Sequence, residues 1–301
     1  EAFDYVWEER WIRDEGYNKI VPTAVNAALV NAGIEAGDVN HFIFPVAAGR
    51  VAGGLAKKLG IPDAAVRDNL QGTVGEAGSA HAIVMLVQAL EEAKRGDIIL
   101  VTSFGQGCDA LIFGVTDAVN DAKPAAGISG SIKRRREEKN YNRFLGINNL
   151  VNMEQGLRAE VDKQTGMTTL FRNKEMILSL VGGKCSACGT LQYPKSNVCA
   201  NPNCGAVGTQ EDQPFADMPA KLNSFTADSL TFSPDPPAYY GMVQFEDGGR
   251  GMLDLTDIDP NGELEVGQPL RMVFRIKEFD TKRGFRRYFW KATPDSKQEG
   301  A

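Results

Sequence analysis

The stretch Gly96–Phe113, GDIILVTSFGQGCDALIF, decides the fold of the first part of this 301-residue chain. From Asp97 to Ser103 it is a nearly continuous aliphatic run, which is typical of a buried central strand. The glycine loop Phe104–Gly107 follows, and Asp109–Thr116 has the pattern of a second strand that runs back beside the first. The stretch therefore predicts a strand, a glycine loop and a strand.

The segments before this hairpin alternate between helical and strand patterns. Apolar residues at helical spacing predict three helices, at Ile20–Ala32, Arg50–Leu59 and Ala80–Lys94. Between the first two, Val39–Phe44 is a short apolar run that predicts a buried strand. Together these elements predict an α/β domain over residues 1–120.

We expect a domain boundary after residue 120, because the composition changes there. The segment 121–131, DAKPAAGISGS, carries Pro, Gly and Ser without periodicity, and a charged run follows at 133–139. We interpret 121–180 as a linker with a helical segment. The charged run has two interpretations. It is either a basic patch that contacts CoA phosphates or an acidic partner, or it is a solvated face of a helix. The adjacent acids Glu137 and Glu138 favour the helix face.

Four of the five cysteines lie in two pairs between residues 185 and 204. The spacing Cys-x2-Cys, ten residues, Cys-x4-Cys predicts two tight turns that present four thiolates to one zinc ion. Four cysteine ligands leave no open coordination position, so this zinc would be structural rather than catalytic. The alternatives are four reduced, merely buried cysteines or a disulfide-linked pair. The predicted ligands of this rubredoxin-like zinc ribbon, at 181–213, are Cys185, Cys188, Cys199 and Cys204.

Beyond Pro214 the sequence pattern becomes all-β. Five short alternating runs are separated by Gly, Pro and Asp residues. They are KLNSFTADSL (221–230), GMVQFED (241–247), GRGMLDLTD (249–257), PLRMVFRIKEFD (269–280) and RRYFWKAT (286–293). Five such strands predict an all-β OB-fold barrel over residues 214–301.

The overall composition is that of an ordinary water-soluble protein, with 43% hydrophobic and 24% charged residues and a net charge of −6. This charge balance makes neither nucleic acid nor a membrane an expected partner. The sequence has no run of eighteen apolar residues, and its start, EAFDYVWEERW, lacks the basic-then-apolar order of a signal peptide. We therefore expect a cytoplasmic protein.

The stretch Gly96–Phe113 resembles the C-terminal strand–loop–strand of the thiolase superfamily, in particular 3-hydroxy-3-methylglutaryl-CoA synthases and ketoacyl synthases III. Two further segments, DVNHFIFPVAAGRVAGGLAKKLGI (38–61) and TVGEAGSAHAIVMLVQAL (73–90), are similar to the same half of that fold. The resemblance covers about residues 17–119. It implies one half of a thiolase fold, without the half that carries the nucleophilic cysteine of the family.

The resemblance also implies binding residues. In the family a glycine loop closes the active site, so Gly105 and Gly107 would bring bare backbone amides close to an acyl thioester and its developing oxyanion. Arg50 lies at the start of the segment that resembles the CoA-facing helix of the family. It is the candidate for contact with a CoA phosphate.

The sequence differs from the family at the positions of the family's catalytic residues. The position of the catalytic histidine falls at Pro45 or Val46, and the position of the asparagine falls at Glu76. None of these side chains can activate a thioester enolate as His and Asn do. We therefore expect this half to be non-catalytic.

Two residues are nevertheless candidates for catalysis, each with a structural alternative. Cys108, after the glycine loop, is either a nucleophile of lowered pKa or a packing residue. Glu76 is either a general base in a dry pocket or a carboxylate favoured by a helix N-terminus. The two histidines, His41 at a strand start and His81 in an apolar helix, are expected to be structural.

The C-terminal part resembles a second family. KCSACGTLQYPKSNVC (184–199) with the following β-runs is similar to zinc-ribbon plus OB-fold proteins that accompany thiolases, over about residues 175–295. That resemblance implies a module that binds or channels CoA or acyl-CoA between subunits. Six aromatic side chains would stack an adenine or line a pantetheine tunnel, or else belong to the core: Phe225, Tyr239, Tyr240, Phe285, Tyr288 and Trp290. Three arginines would hold phosphates: Arg250, Arg286 and Arg287.

Three functional hypotheses follow. The first is an accessory, non-catalytic subunit that docks on a separate thiolase subunit in a hetero-oligomer, as the resemblance implies for thiolases such as the benzoylsuccinyl-CoA type. The second is the C-terminal part of a catalytic 3-hydroxy-3-methylglutaryl-CoA synthase-like enzyme. The third is a nucleic-acid-binding zinc-ribbon protein, which would show strongly salt-dependent binding to single-stranded DNA.

Overall fold

The computed structural model describes residues 8–121, 127–154, 166–259, 263–280 and 283–295. The chain divides into two compact units, Glu1–Arg135 and Arg136–Ala301. This division falls inside the charged run, whereas the change in composition lies at residue 120. Of the predicted linker, residues 122–126 and 155–165 lie outside the described residues.

The first unit contains the three predicted helices, whose ends lie within two residues of the expected bounds. Two of them end at glycines in the left-handed conformation, Gly33 and Gly60, which a residue with a Cβ adopts only with strain. A π-helical stretch, Ile12–Ile20, leads into the first helix. The helices are α1 (Val21–Ala32), α2 (Val51–Leu59), α3 (His81–Glu92), α4 (Ala118–Asp121) and α5 (Gly127–Lys133).

The first unit also contains a three-stranded sheet. Its strands are β1 (His41–Ile43), β2 (Ile98–Phe104) and β3 (Cys108–Gly114), in the order β1-β2-β3. β1 is parallel to β2, and β3 runs antiparallel to β2 after the glycine loop. The predicted strand, loop and strand are thereby confirmed.

Alternate residues of the central strand pack on opposite sides of this sheet. Leu100 belongs to a core formed with α1 and α2, where Val25 and Leu55 are buried. Ile99 belongs to a second core formed with α3, where Met85 is buried. The first unit is therefore an α/β structure, as the sequence predicts, and it has helices on both sides of its sheet.

The charged run is not a helix face, because residues 135–140 have no regular secondary structure. The Asn140 side chain accepts a hydrogen bond from the Arg143 N–H and caps helix α6 (Tyr141–Ile147), which starts only there. The Arg136 and Arg143 guanidinium groups both donate to the Asp235 carboxylate, at 2.5 and 2.7 Å. These ion pairs fix Arg136 and Arg143 within the second unit, although the sequence analysis expects a solvated run here.

The ribbon part of the second unit follows two short helices. These are α7 (Met167–Arg172) and α8 (Lys174–Leu178). A three-stranded antiparallel sheet has the order β5-β4-β6. Its strands are β4 (Val181–Cys185), β5 (Leu191–Gln192) and β6 (Gln210–Pro214).

The remaining strands form a five-stranded antiparallel sheet in the order β11-β10-β7-β8-β9. Leu255, the residue after one edge strand, forms a single parallel bridge with Ala292 of the other edge strand, and the Thr256 N–H donates to the Ala292 carbonyl at 2.9 Å. This meeting of the edges agrees with the predicted OB fold. The strands are β7 (Ala220–Asp228), β8 (Ala238–Phe245), β9 (Arg250–Asp254), β10 (Pro269–Asp280) and β11 (Phe285–Pro294).

One aromatic cluster joins the ribbon to this sheet. The Phe215 ring is fully buried, and its centroid lies 4.9 Å from that of Phe245 and 5.7 Å from that of Tyr193. Burial raises the pKa of Tyr193 to about 12. Ribbon and sheet thus share one hydrophobic core.

In the described residues, no helix combines the length and the apolar character that a bilayer crossing requires.

Candidate metal centre and ligand-binding residues

The structure brings the four paired cysteines together. Their sulfur atoms all lie within 4.8 Å of one another. The Cys188–Cys199 pair is separated by 3.6 Å and the Cys185–Cys204 pair by 4.0 Å. Four sulfurs at 2.3 Å from a tetrahedral zinc ion would be about 3.8 Å apart. The donor set therefore fits one zinc ion in both chemistry and size.

Two tight turns build this cluster. In the first, the Gly189 N–H donates to the Cys185 carbonyl at 2.7 Å, and in the second the Gly205 N–H donates to the Asn201 carbonyl at 3.1 Å. Both glycines have positive φ, 76° and 54°, which a glycine adopts without strain. The glycine after each cysteine pair thus lets the chain turn back after presenting two sulfurs.

Threonine hydroxyl groups lie beside two of the four thiols. The Cys188 sulfur lies 3.2 Å from the Thr190 hydroxyl, and this hydrogen bond is the main cause that lowers the pKa of Cys188 to about 6. The Cys185 sulfur lies 3.2 Å from the Thr209 hydroxyl. Such contacts favour the thiolate form that metal binding requires.

Gln192 supports the second turn, and sequence reasoning does not identify it. Its side chain is buried, and its Nε2 donates to the Ser196 hydroxyl at 2.9 Å and to the Val198 carbonyl at 3.1 Å. Its Oε1 accepts from the Ala200 N–H at 2.7 Å. Because the amide fixes the backbone on both sides of Cys199, it positions that ligand. Its only signal in the sequence is a polar residue between two apolar ones.

The glycine loop between β2 and β3 has no local need for glycine. The Gly105 N–H donates to the Gly107 carbonyl at 2.8 Å. A Cβ added at either glycine would meet no heavy atom within 4 Å, and neither residue has a positive φ. Neither packing nor backbone conformation therefore explains these two glycines.

Cys108 lies at the start of β3, half-buried against the core formed with α1 and α2. Burial and then the charge of Asp109 raise the pKa of Cys108. A raised pKa lowers the thiolate fraction, so this environment favours the packing interpretation over the nucleophile.

Glu76 lies just before the 3-10 turn Gly78–Ala80 that leads into α3. Its carboxylate accepts from the Gly78 N–H at 2.9 Å and the Gln71 amide at 3.1 Å, and its side chain is 59% exposed. It does not lie in a dry pocket. The geometry favours the helix-terminal interpretation.

His81 is the first residue of α3 and is fully buried. Its Nδ1 accepts from the Ala77 N–H at 3.2 Å, and its Nε2 lies 2.6 Å from the Asn69 carbonyl. Two backbone partners occupy both ring nitrogens, so His81 fixes the entry into α3.

His41 and Asp97 form a pair at the start of β1 and β2. The Asp97 carboxylate accepts from the Lys94 N–H at 2.8 Å and lies 3.0 Å from His41 Nε2. The hydrogen bond from Lys94, followed by that from His41, lowers the pKa of Asp97. This pair lies at the end of the strands opposite to the glycine loop, which favours the structural interpretation of His41.

We expect Asp97→Asn to flatten the acid dependence of stability. A carboxyl group of lowered pKa stabilises the folded state above about pH 4, and this contribution disappears as the pH falls through the folded-state pKa. Urea denaturation midpoints measured between pH 5 and pH 2.5 should therefore fall less steeply in the variant. Parallel curves for the variant and the unsubstituted protein would contradict the assignment.

Arg50 precedes α2 with a φ of 67°, in the left-handed region that arginine rarely adopts. It is exposed, and in the described parts of the chain its guanidinium has no ion-pair partner. The free N–H groups at the start of a nine-residue helix lie beside it. The positive end of the helix and the unpaired cation together favour an anion.

The candidate side chains of the five-stranded sheet do not converge on one site. Arg250 is on β9 and Arg286 on β11, where its guanidinium lies 5.2 Å from the Phe279 ring centroid. Arg287 pairs with Glu278. Tyr239 and Trp290 pack against the core, Phe285 is partly buried, and three of the aromatic side chains are exposed: Phe225, Tyr240 and Tyr288.

Family models match three parts of the chain. Residues 29–113 match the family described as 3-oxoacyl-(acyl-carrier-protein) synthase III C terminal. Residues 176–207 match the ChsH2 rubredoxin-like zinc ribbon domain, and residues 214–275 match the ChsH2 C-terminal OB-fold domain. The chain therefore joins a thiolase-like half domain to a zinc ribbon and an OB fold, as both resemblances predict.

Individual proteins match each part. A hydroxymethylglutaryl-CoA synthase from Aeropyrum pernix is 34% identical over 142 residues, which are 46% of this chain and 39% of the synthase. A DUF35 domain-containing scaffold protein from Pyrococcus furiosus is 34% identical over 135 residues, which are 43% of this chain and 90% of that protein. The solved structure "Ltp2-ChsH2(DUF35) aldolase" is 22% identical, with a TM-score of 0.33 and coverage of 46% of this chain and 98% of that chain.

Through its zinc ribbon and OB fold, the chain belongs to the family of DUF35 domain-containing proteins. The similarity to hydroxymethylglutaryl-CoA synthases is partial. The chain spans 39% of the length of the Aeropyrum pernix synthase and 34% of that of the Methanococcoides burtonii synthase.

Proposed function

We propose that this chain is an accessory, non-catalytic subunit of an acyl-CoA thiolase or acyltransferase complex, which positions acyl-CoA and scaffolds a partner thiolase. The observation that carries the proposal is the combination of two modules in one chain. A half that matches the synthase III C-terminal family precedes a module that matches a protein named as a scaffold. In the first half, the resemblance assigns Pro45 or Val46 and Glu76 to the positions of the catalytic His and Asn. The four cysteines, Cys185, Cys188, Cys199 and Cys204, would hold the zinc ion that stabilises this scaffold.

Acyl-CoA binding is supported by features of the first unit. Arg50 is exposed and unpaired beside the start of α2, where a phosphate group is favoured. Gly105 and Gly107 leave open space at the glycine loop, so a thioester could approach the backbone closely. In the second unit, Arg250 and Arg286 are exposed cations on different strands of the five-stranded sheet, and each is proposed as a separate phosphate contact of the OB fold.

Titration calorimetry with acetyl-CoA tests the ligand. We expect Arg50→Met to weaken binding about 10- to 100-fold, because a hydrogen bond to a charged group is worth about 1.5–3 kcal/mol. Arg13→Met is the matched control, since Arg13 is an exposed arginine of the same unit that pairs with Asp14. Equal weakening in both variants, or no binding by the unsubstituted chain, would refute the acyl-CoA site.

Activity separates the accessory role from a catalytic one. The full chain, alone and with its co-purified thiolase partner, is assayed for CoA-dependent cleavage of acetoacetyl-CoA. We expect turnover only with the partner, because Cys108 has a raised pKa and Glu76 is exposed. Turnover by the chain alone would overturn the proposal.

One alternative is favoured by a specific observation. The 34% identity with a hydroxymethylglutaryl-CoA synthase supports a role as the C-terminal part of a catalytic synthase-like enzyme that makes or breaks C–C bonds of acyl-CoA. In that case the nucleophile and its base would lie on the remaining part of the fold. Turnover that appears only when this chain is covalently joined to the remaining half of the synthase fold would support this alternative.

A further inference from the structure

Cys188 differs from the other three cysteines of the metal centre in its exposure. It is exposed on the turn between β4 and β5, whereas Cys185 and Cys199 are 1% and 4% exposed. The fourth cysteine, Cys204, is partly buried. A small reagent from the solvent therefore reaches Cys188 more readily than the two buried cysteines.

Two polar side chains lie beside this exposed sulfur. The Thr190 hydroxyl is 3.2 Å from the Cys188 sulfur, and the Asn201 amide nitrogen is 3.9 Å from it. The same amide nitrogen donates to the Thr190 hydroxyl at 3.2 Å, which fixes the two groups relative to each other. The Thr209 hydroxyl lies at an equal distance of 3.2 Å from the Cys185 sulfur, but Cys185 is buried. Exposure and two hydrogen-bond donors thus occur together at Cys188.

A second thiol lies next to Cys188. The Cys199 sulfur is 3.6 Å from the Cys188 sulfur, and the Gln192 amide fixes the backbone on both sides of Cys199. A disulfide bond needs the two sulfurs at about 2.0 Å, so they would have to approach by about 1.6 Å. Because Cys199 is buried, it is placed to react with an oxidised Cys188 rather than with a reagent from the solvent.

We propose that Cys188 is a site of oxidation by peroxides and that Cys199 is the thiol that resolves it. Oxidation then joins Cys188 to Cys199 in a disulfide bond and releases the zinc ion. The observations that carry the proposal are the exposure of Cys188, its two hydrogen-bond donors and the adjacent buried thiol. The proposal does not depend on acyl-CoA binding or on a thiolase partner.

The oxidation takes two steps. In the first, the Cys188 thiolate attacks hydrogen peroxide, an S–O bond forms, the O–O bond breaks, and the departing hydroxide takes a proton and becomes water. Thr190 and Asn201 donate hydrogen bonds to this departing oxygen. In the second step, the Cys199 thiolate attacks the sulfenic sulfur, an S–S bond forms, and the other oxygen leaves as a second water after protonation. The two sulfurs lose two electrons, and the peroxide, with two protons from the solvent, is reduced to two waters.

The disulfide removes two of the four metal ligands. Cys185 and Cys204 alone would remain, whereas a structural zinc ion takes four ligands. Because metal-binding energy is folding energy in such ribbons, the oxidised chain should lose its zinc ion and both cysteine turns should loosen.

Zinc release under hydrogen peroxide tests the site. The zinc-loaded full chain carries Cys108→Ser, so that every thiol counted belongs to the cluster. Released zinc is followed by the absorbance of a chelating dye. We expect release of the bound zinc, loss of two thiols and a peptide map that links Cys188 to Cys199. Dithiothreitol and added zinc should restore the complex.

Thr190→Val and Thr209→Val form a matched pair of variants. Each removes a hydroxyl that lies 3.2 Å from a cysteine sulfur, and each keeps all four zinc ligands. We expect Thr190→Val to slow zinc release about 5- to 10-fold, the usual effect of one hydrogen bond, because it removes a donor at the exposed sulfur. Thr209→Val should keep the rate within about twofold, since the sulfur beside it is buried.

Cys188→His and Cys204→His form a second pair, because three cysteines and one histidine also bind zinc. Cys188→His should slow release at least about tenfold, since an imidazole forms no sulfenic acid. Cys204→His should release zinc as the unsubstituted site does, because it keeps both reacting thiols. The threonine pair decides the question if a histidine variant does not bind zinc.

Three results would overturn the proposal. The first is equal slowing of zinc release in Thr190→Val and Thr209→Val, or no slowing in either. The second is a peptide map that links Cys185 to Cys204 instead. The third is full retention of zinc by the unsubstituted site in an excess of hydrogen peroxide.

Discussion

Cys185→Ser is expected to abolish stoichiometric zinc binding and to unfold the ribbon. Cys185 is the last residue of β4 and is 1% exposed, with its sulfur 4.0 Å from that of Cys204. Structural zinc contributes an apparent free energy of about 10–16 kcal/mol in small ribbons, and this energy is largely folding energy. Loss of one thiolate should therefore release the metal and, with it, the two turns that the metal joins.

The measurement is metal content by mass spectrometry after gel filtration, followed by limited trypsin digestion. Lys184 and Lys195 lie within the ribbon, so its unfolding should expose both to cleavage. Cys108→Ser is the matched control, because Cys108 is the cysteine outside the cluster. Stoichiometric zinc retained in Cys185→Ser, or lost equally in Cys108→Ser, would contradict the metal assignment.

Phe215→Ala should destabilise the second unit by about 3–5 kcal/mol, the usual cost of removing a buried phenylalanine ring. The ring is fully buried between Tyr193 of the ribbon and Phe245 of the five-stranded sheet. A Cβ added at Gly249 would lie 2.7 Å from the same ring. The surrounding chain is thus shaped around Phe215, and we expect the cavity to collapse only in part.

Urea unfolding of the second unit, followed by tryptophan fluorescence, measures this effect, because Trp290 lies on β11 and packs against the same core. Phe171→Ala is the control, since this side chain is 77% exposed and should change stability by less than about 0.5 kcal/mol. A similar shift in both variants would mean that Phe215 does not join the ribbon to the sheet.

The coupling through Phe215 bears on the proposed function. Because the ribbon and the OB fold share one core, loss of the metal should disturb the sheet as well as the cysteine turns. If the chain acts as the proposed scaffold, a change at the zinc ion would therefore also reach the surface formed by the OB strands. The effect of Phe215→Ala on partner binding should therefore resemble that of Cys185→Ser in direction.

Most of the local structure could be predicted from the sequence. Helical spacing and left-handed glycines define α1 and α2 to within a residue, because a glycine at a helix end provides the turn that other residues resist. The pairing of β2 with β3 follows from two apolar runs separated by a short glycine loop. The two cysteine pairs predict the cluster, since few arrangements other than a metal centre bring four sulfurs so near each other.

Contacts between distant residues could not be predicted in this way. The charged run is held by Asp235, about a hundred residues further along the chain, and a local pattern contains no information about such a pair. Gln192 is similar, because a buried amide is recognised only when its three partners are known. For the same reason the sequence interpretation of 133–139 as a helix face is wrong.

By itself the sequence determined the order of the modules, the elements of each and the donor set of the metal centre, because these depend on residue type and on spacing along the chain. Only the tertiary structure decided which apolar residues are covered. Leu111 and Ile112 are neighbours of similar hydrophobicity. Ile112 packs under α1, whereas Leu111 is exposed on the α3 side of the sheet. Burial depends on which elements meet across the sheet, and that is decided by packing in three dimensions.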